Sequence, residues 1–432
     1  MIRILKFGEV SKDEIFARVE GVSSVEGIIA DIIENVKTRG DEAVLEYCEK
    51  FDHAKLDSLR VSPEEIEEAL ALTDPDFLRI LKRAADNITE YHKMQIREEI
   101  FELRKDGGII MGQKITPIEK VGLYVPGGSA AYPSTVLMDS IPAKIAGCKE
   151  LVMTTPPNAE GKINPYILAA ASVAGVDKIY KTGGAQAIAA LAYGTGSIPK
   201  VDKIVGPGNA FVAEAKKQVY GLVSIDMIAG PSEVLVLSDG KTDPAWTAAD
   251  LLSQAEHDKN ASAVLITDSM DFALAVQKEI DEQVKKLDRC EIASESIDRN
   301  GKIIVTDDLD QAVDVSNEIA PEHLEICVDD PFTYLPKIKN AGSIFLGRNC
   351  PEALGDYMAG PNHTLPTMGT AKFSSPLSVD DFIKKTQYTY FDAEAFAGYA
   401  EDIAYFATKE GLTGHARSAL IRTEGNEKNK RK

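Results

Sequence analysis

Histidine is scarce in this chain of 432 residues, with six in all: His53, His92, His257, His323, His363 and His415. His53 and His92 sit in charged helical surroundings without an acidic or amide partner in any recognisable pattern, and read as surface or packing residues. The other four fall in polar, locally unusual contexts. Gln254 and His257 are three apart within DLLSQAEHD. On a helix that spacing puts both on one face. They either present two ligands to one metal or belong to a solvated face with Glu256, Asp258 and Lys259. Asp356 comes seven residues before His363 in PEALGDYMAGPNH. This Gly/Pro-rich loop setting fixes side-chain directions without building a core. Glu410 and His415 flank Gly411 and Gly414 near the C-terminus. A histidine, a carboxylate, a second histidine and an oxygen donor, with no thiolate, match a zinc or manganese set, although glutamine is an uncommon ligand.

Glu322-His323 follows Ala320-Pro321 and opens an apolar run. The pair either serves two successive proton transfers or is a charged strand entrance. The first is chemically available because His titrates near neutrality and burial raises Glu toward it. Ser232 follows Gly230-Pro231 without a G-x-S-x-G elbow, so it reads as a substrate contact or turn residue rather than a nucleophile. Cys327 lies inside an apolar run and Cys350 precedes Pro351. Thiolate chemistry at either would need an activating base or helix N-terminus that the sequence does not supply.

These residues must be positioned by the elements around them. The first ~115 residues read as helical. Val25, Ile28, Ile29, Ile32, Ile33 and Val36 form one stripe with Gly40 as a stop. Ser62, Pro63 and Glu65 spell a capping box, and another helix follows from Phe77. From 120 to 240, short β-type runs alternate with small-residue helical runs, which implies a parallel sheet covered on both faces. Each strand-to-helix turn there is rich in Gly or Pro: Pro126-Gly127-Gly128-Ser129, Gly183-Gly184-Ala185-Gln186 and Gly206-Pro207-Gly208-Asn209. Glycine allows tight turns and also close approach of a ligand to the backbone. Three such turns on successive strands favour a nucleotide-sized ligand at the strands' carboxyl ends. Gly206-x-Gly208-x-x-Phe211 is nevertheless not a proper dinucleotide fingerprint. A second alternation runs from 241 to Gly347, and is expected to join the N-terminal helices in space. A Gly/Pro loop region and a helical end over 392–422 follow, and the charged EGNEKNKRK reads as a frayed tail.

Composition narrows the class. The chain is 44% hydrophobic and 27% charged, too apolar to be disordered overall. Its 68 acidic against 48 basic residues give a net charge of −20, which argues against nucleic-acid and anionic-membrane partners. No apolar stretch is long enough for a membrane span, and charges interrupt the N-terminus too early for a secretory segment. Five widely spaced cysteines without a CxxC pair point to a reduced, cytoplasmic protein.

Taken together, GLYVPGGSAAYPSTVLM, GGAQAIAALAYGT, KVDKIVGPGNAFVAEAK, AGPSEVLVL, DLLSQAEHD, APEHLEI, PEALGDYMAGPNHTLPT and EGLTGHARS resemble histidinol dehydrogenase, from residue 24 to 422. The resemblance implies an α/β fold: two incomplete Rossmann-like parallel-sheet domains with N-terminal helices and a C-terminal helical arm. It implies an N-terminal segment 1–23 at a dimer contact, a first α/β domain of 24–118 plus 240–380, a second of 119–239, and an arm of 381–432 at a dimer contact. The implied activity is oxidation of L-histidinol to L-histidine through histidinal with two NAD+ and water, the last step of histidine biosynthesis. One Zn2+ per subunit would be held by Gln254, His257, Asp356 and His415. Glu322 and His323 would be the proton acceptors. Substrate contacts would be Ser232, Gln254, His257, His323, Asp356, His363, Glu410 and His415, and NAD contacts Tyr124, Gln186 and Asn209. The family is homodimeric, and each arm would complete the other subunit's site. Two rivals use the same residues differently: a zinc hydrolase with Glu322 activating water, and a thiol-dependent aldehyde dehydrogenase on Cys327 or Cys350. A binding-only sheet explains neither the histidines nor Glu322.

Overall fold

The computed structural model describes residues 1–18, 25–97, 100–127 and 131–430. Gly128 and Ser129 of the first glycine turn, and residues 19–23 of the N-terminal segment, lie outside them. The chain divides into two compact units, Met1–Ile96 with Ile118–Phe382, and Arg97–Pro117 with Ile383–Lys432. No helix among the described residues is long and apolar enough to cross a membrane.

The first unit contains two all-parallel sheets, in keeping with the expected fold class. One has five strands in the spatial order Lys178–Lys181, Glu150–Thr155, Lys120–Tyr124, Lys203–Val205, Ser224–Ile225. Its central strands are buried on both faces, as a sheet covered by helices on either side requires: Val121, Leu123, Leu151, Val152 and Met153 are fully buried. In chain order the strands run 3-2-1-4-5, a doubly wound sheet lacking its sixth strand. The other sheet places Arg3–Lys6, Lys302–Val305, Ser262–Thr267, Glu233–Ser238, His323–Cys327 and Ser343–Leu346 side by side. Counted from Glu233–Ser238 the order is again 3-2-1-4-5, with Arg3–Lys6 added at the edge.

Local signals in the helices hold. Glu26–Arg39 ends at Gly40 with φ +59, and Ser62 with Glu65 forms the capping box of Pro63–Leu72. Their partners differ from expectation. Residues 24–118 were expected to join 240–380, but these helices cover the five-stranded sheet. Ile29, Ile32, Ile33 and Val36 pack on the alanine-rich face of Gly184–Tyr193 and on Ala210–Val219. Pro75–Lys93 packs on Pro133–Ala146 and Pro165–Ala174. A stripe of apolar residues announces a face to bury, not which surface buries it. The expected boundary at 239 also falls one strand late, because Glu233–Ser238 is central to the six-stranded sheet. The segment 1–23 contributes an edge strand, Arg3–Lys6, and a short helix, Lys12–Phe16, whose Ile15 enters that sheet's core.

The helical expectation for the first ~115 residues fails over its last stretch. Ile100–Lys105 and Ile109–Pro117 form an antiparallel hairpin turned by Asp106-Gly107-Gly108, where both glycines have positive φ. Alternating apolar and polar residues around a D-G turn are the signal that reading passed over. Ile383–Phe391 adds a third antiparallel strand. The arm is therefore a small sheet plus helices, not helices alone. Ala400–Lys409 and Thr413–Lys430 pack through Ala404, Ala407 and Ala416, and the last helix runs past 422.

Candidate functional site

The amino edge of the six-stranded sheet brings most of the sequence candidates together. Glu233 and His323 each begin a strand, and these two strands are neighbours. The Glu233 backbone serves both members of the Glu322-His323 pair. Its N–H donates to Glu322 Oε2 at 2.8 Å, and its carbonyl lies 2.9 Å from His323 Nδ1. A carbonyl only accepts, so Nδ1 carries the ring proton and Nε2 is left as a bare base. That Nε2 is buried without a hydrogen-bond partner among the described residues. Glu322 Oε2 and His323 Nδ1 are 3.6 Å apart. Burial, the largest influence on each, raises the Glu322 carboxyl well above the carboxylate range and lowers the His323 imidazole. Arg18 pairs with the Glu233 side chain and donates to the Ile319 carbonyl just upstream of Glu322.

Gln254 and His257 lie where the helix Pro244–Ala255 ends, with His257 N–H bonded to the Gln254 carbonyl at 3.1 Å. Gln254 is 1% exposed, which removes the solvated-face reading. Asp356 lies on a short helix, Glu352–Tyr357, rather than in the expected loop. Its Oδ1 is 3.3 Å from His363 Nδ1, and His363 Nε2 is 3.4 Å from Thr135 Oγ1. Burial favours a protonated Asp356, but the hydrogen bond and charge of His363 hold it below the usual carboxylate range. Burial likewise opposes charge on His363, and Asp356 more than offsets it. His257, lowered chiefly by burial, is in the electrostatic reach of Asp356 and His363.

One residue of this group escaped the sequence reading. Glu352 is 2% exposed, and ligand atoms of His323, Glu352 and Asp356 all lie within 4.8 Å of one another. The signal was two acids four apart in PEALGD, which share a helix face. Gln254 Oε1, His323 Nε2 and Glu352 Oε1 are all buried without hydrogen-bond partners among the described residues. Each such orphan costs about 1–3 kcal/mol unless something satisfies it. Nitrogen and oxygen donors clustered this way fit a divalent cation of the zinc type. Ser232 immediately precedes Glu233, and its carbonyl accepts from Ser262 N–H at 2.9 Å. Glu410 and His415 belong to the second unit, at the end of Ala400–Lys409 and in the first turn of Thr413–Lys430, both exposed.

The dinucleotide candidates gather at the carboxyl edge of the five-stranded sheet. Tyr124 ends its strand, and its hydroxyl accepts from Gly184 N–H at 3.1 Å. Gln186 is 2% exposed, and a Cβ on Gly184 would lie 2.7 Å from Gln186 Oε1. Gly206 has φ +120, and a Cβ there would meet the Tyr124 carbonyl at 2.1 Å, so only glycine fits. Asn209 caps Ala210–Val219 through the N–H groups of Phe211 and Val212. Beside this edge Asp139 is fully buried, accepting from Thr364 Oγ1 at 3.0 Å, and burial pushes its carboxyl up to about 7.

Neither thiol is activated. Burial raises the Cys327 thiol far above its ordinary value and also raises that of Cys350.

The sequence matches the family pattern described as histidinol dehydrogenase over residues 17–423. It is 53% identical over 427 residues to the histidinol dehydrogenase of Clostridium acetobutylicum, covering 98% of this chain and 99% of that one. It is 55% identical over 404 residues to that of Bacillus cereus, covering 94% of each. The crystal structure of histidinol dehydrogenase from Elizabethkingia anophelis superposes with a TM-score of 0.93 at 38% identity, covering 99% of both chains. A parallel pair of incomplete doubly wound sheets, a buried cluster of nitrogen and oxygen donors, and agreement along the whole length place this chain in the histidinol dehydrogenase family of oxidoreductases.

Proposed function

We propose that the protein oxidises L-histidinol through histidinal to L-histidine, using zinc and two NAD+ per turnover. The observation that carries this reading is the row of buried, unpartnered donors at the amino edge of the six-stranded sheet. Gln254, His257 and Asp356 would hold the metal from this unit. His415 and Glu410 would be supplied by the arm of the other subunit of a homodimer. When bound, zinc supplies an anchor for the imidazole and amine of the substrate, and nicotinamide supplies the hydride acceptor.

The chain's own residues then handle protons. His323 Nε2, neutral because burial lowers its proton affinity, takes the proton of the substrate hydroxyl. Its Nδ1–H stays on the Glu233 carbonyl and keeps the ring oriented. Once ionised, the buried Glu322 is a strong base and takes a proton from the water that attacks the aldehyde. His363 keeps Asp356 ionised for the cation. Ser232 borders the substrate. Tyr124, Gln186 and Asn209 line the dinucleotide position, next to helix N-termini suited to phosphate.

Histidinol and NAD+ added to zinc-loaded protein should generate NADH, and metal-stripped protein should regain that activity when zinc is restored. Absence of NADH from the zinc-loaded protein would favour the hydrolase reading on the same ligands. The shared site has its own check. Inactive His415→Ala and His323→Ala chains should complement when mixed, and failure to recover activity would reject an arm donated between subunits.

A further inference from the structure

We propose that Lys216 and Asp226 are positioning residues, whose buried ion pair clamps the turn at Gly206 in the course that receives the dinucleotide. This rests on the NAD+ reading above. Lys216 lies on Ala210–Val219, and Asp226 follows the edge strand Ser224–Ile225. Their side chains are 2% and 1% exposed and pair with each other. A buried ion pair is weak evidence of stabilisation, since an apolar pair of similar volume often serves as well. What the charges add is direction, and both are directed at Gly206. Lys216 Nζ donates to the Gly206 carbonyl at 3.0 Å, and Asp226 Oδ2 accepts from the Gly206 N–H at 2.8 Å.

The N–H and carbonyl of one residue lie on either side of its two soft dihedrals, so holding both fixes φ and ψ together. Gly206 is where such a hold matters, because a glycine at φ +120 has many other conformations open to it. Farther along, the turn is stiffened by Pro207, whose ring sets its own φ, and by Asn209, which caps the helix. Asp226 is itself anchored. Its N–H donates to the Ile204 carbonyl at 3.2 Å, and its Oδ1 accepts from the Met227 N–H at 2.6 Å. The pair thus ties the helix after the turn, and the end of the neighbouring strand, to the turn that leads into Asn209.

The test compares full-length wild type with Lys216→Met/Asp226→Asn, which removes both charges at once so that neither is left buried and unpaired. NADH is titrated without substrate and its binding followed by fluorescence. An unclamped turn visits the receiving course only part of the time, and apparent affinity falls by that fraction, so Kd should rise about 10–100-fold. Bound dinucleotide then holds the turn, so in the zinc-loaded enzyme KM for NAD+ should rise with Kd while kcat stays within about twofold. A folded double variant with unchanged Kd, or with kcat lost and KM kept, would overturn the proposal. Asp226→Asn alone keeps the side chain's size and an oxygen for the Gly206 N–H, so the question stays decidable if the double variant does not fold. It trades a charged acceptor for a neutral one, and Kd should rise about three- to tenfold. Were Lys216 instead a direct phosphate contact, freeing its charge would tighten binding; a lower or unchanged Kd in Asp226→Asn overturns the proposal. Failure of the NAD+ reading has a different signature: wild type that binds no NADH.

Discussion

The two parallel sheets of the first unit share the strand order 3-2-1-4-5 yet offer opposite edges to chemistry. In the five-stranded sheet the candidates are at the carboxyl edge: Tyr124 ends a strand, and Gly184, Gln186 and Asn209 begin helices. In the six-stranded sheet they are at the amino edge: Ser232, Glu322 and His323 stand at strand starts, and Gln254 and His257 at a helix end. The electrostatics of helix ends gives the contrast a meaning. N-termini carry partial positive charge and suit phosphates, whereas a C-terminus carries partial negative charge and suits a cation. On the proposed function, one strand order read from opposite ends would give an edge for an anionic cofactor and an edge for a metal and its base.

The largest effect should come from the amino edge. Glu322→Gln removes the proposed water-activating base while keeping an oxygen for the Glu233 N–H. Oxidation of histidinal should fall by about 10²–10⁴-fold, and that of histidinol by much less. Rates measured separately on the two substrates decide it, and equal losses would reject the division of labour between Glu322 and His323. The carboxyl edge has its own buried acid, and there the expected effect is on stability. Asp139 ionises at an ordinary 3.8 when unfolded but only at about 7 in the fold, because burial disfavours its charge. The folded chain holds that proton while the unfolded chain releases it. The stabilisation is therefore complete below pH 3.8 and is lost as pH rises through about 7. Asp139→Asn should abolish this slope, worth at most roughly 4 kcal/mol, in urea denaturation at about pH 5 and about pH 8. A slope unchanged in the variant would mean Asp139 is ionised in the fold. Gly206→Ala comes next. Its Cβ would strike the Tyr124 carbonyl at 2.1 Å with φ at +120, costing about 1–3 kcal/mol of strain. KM for NAD+ should rise while zinc affinity stays put. If zinc affinity moved instead, the two edges would not be separate in function.

How much of this was legible in the sequence follows from what is local. The capping box at Ser62 and Glu65, the stop at Gly40 and the strands of the second alternation depend on neighbours in the chain, and read correctly. Where the Ile29–Val36 stripe docks depends on which distant surface offers small alanines, and it read wrongly. The hairpin at 100–117 follows directly on helices, and only its D-G turn and short alternation distinguish it from them in the sequence. Within the site, His257, Asp356 and His363 stood out because histidines are few. Glu352 did not, because acids are many: only its burial and its contacts distinguish it among 68 acidic residues.

The smallest expected effect is also the sharpest check on the choice of edge. Cys327 closes the strand that His323 opens, so at ~3.3 Å per residue it stands about 13 Å from the proposed base, at the opposite edge of the sheet. Its thiol is 3% exposed, lies 4.0 Å from Glu325 Oε2, and is raised by burial away from the thiolate. Cys327→Ala should therefore cost ~1 kcal/mol of stability through lost packing and change turnover by less than about twofold. Alkylating reagents should likewise leave the native enzyme active, whereas a chelator should not. If the variant kept its melting curve and lost turnover, chemistry would have to run at the carboxyl edge of both sheets. The division between a metal edge and a cofactor edge would then fail.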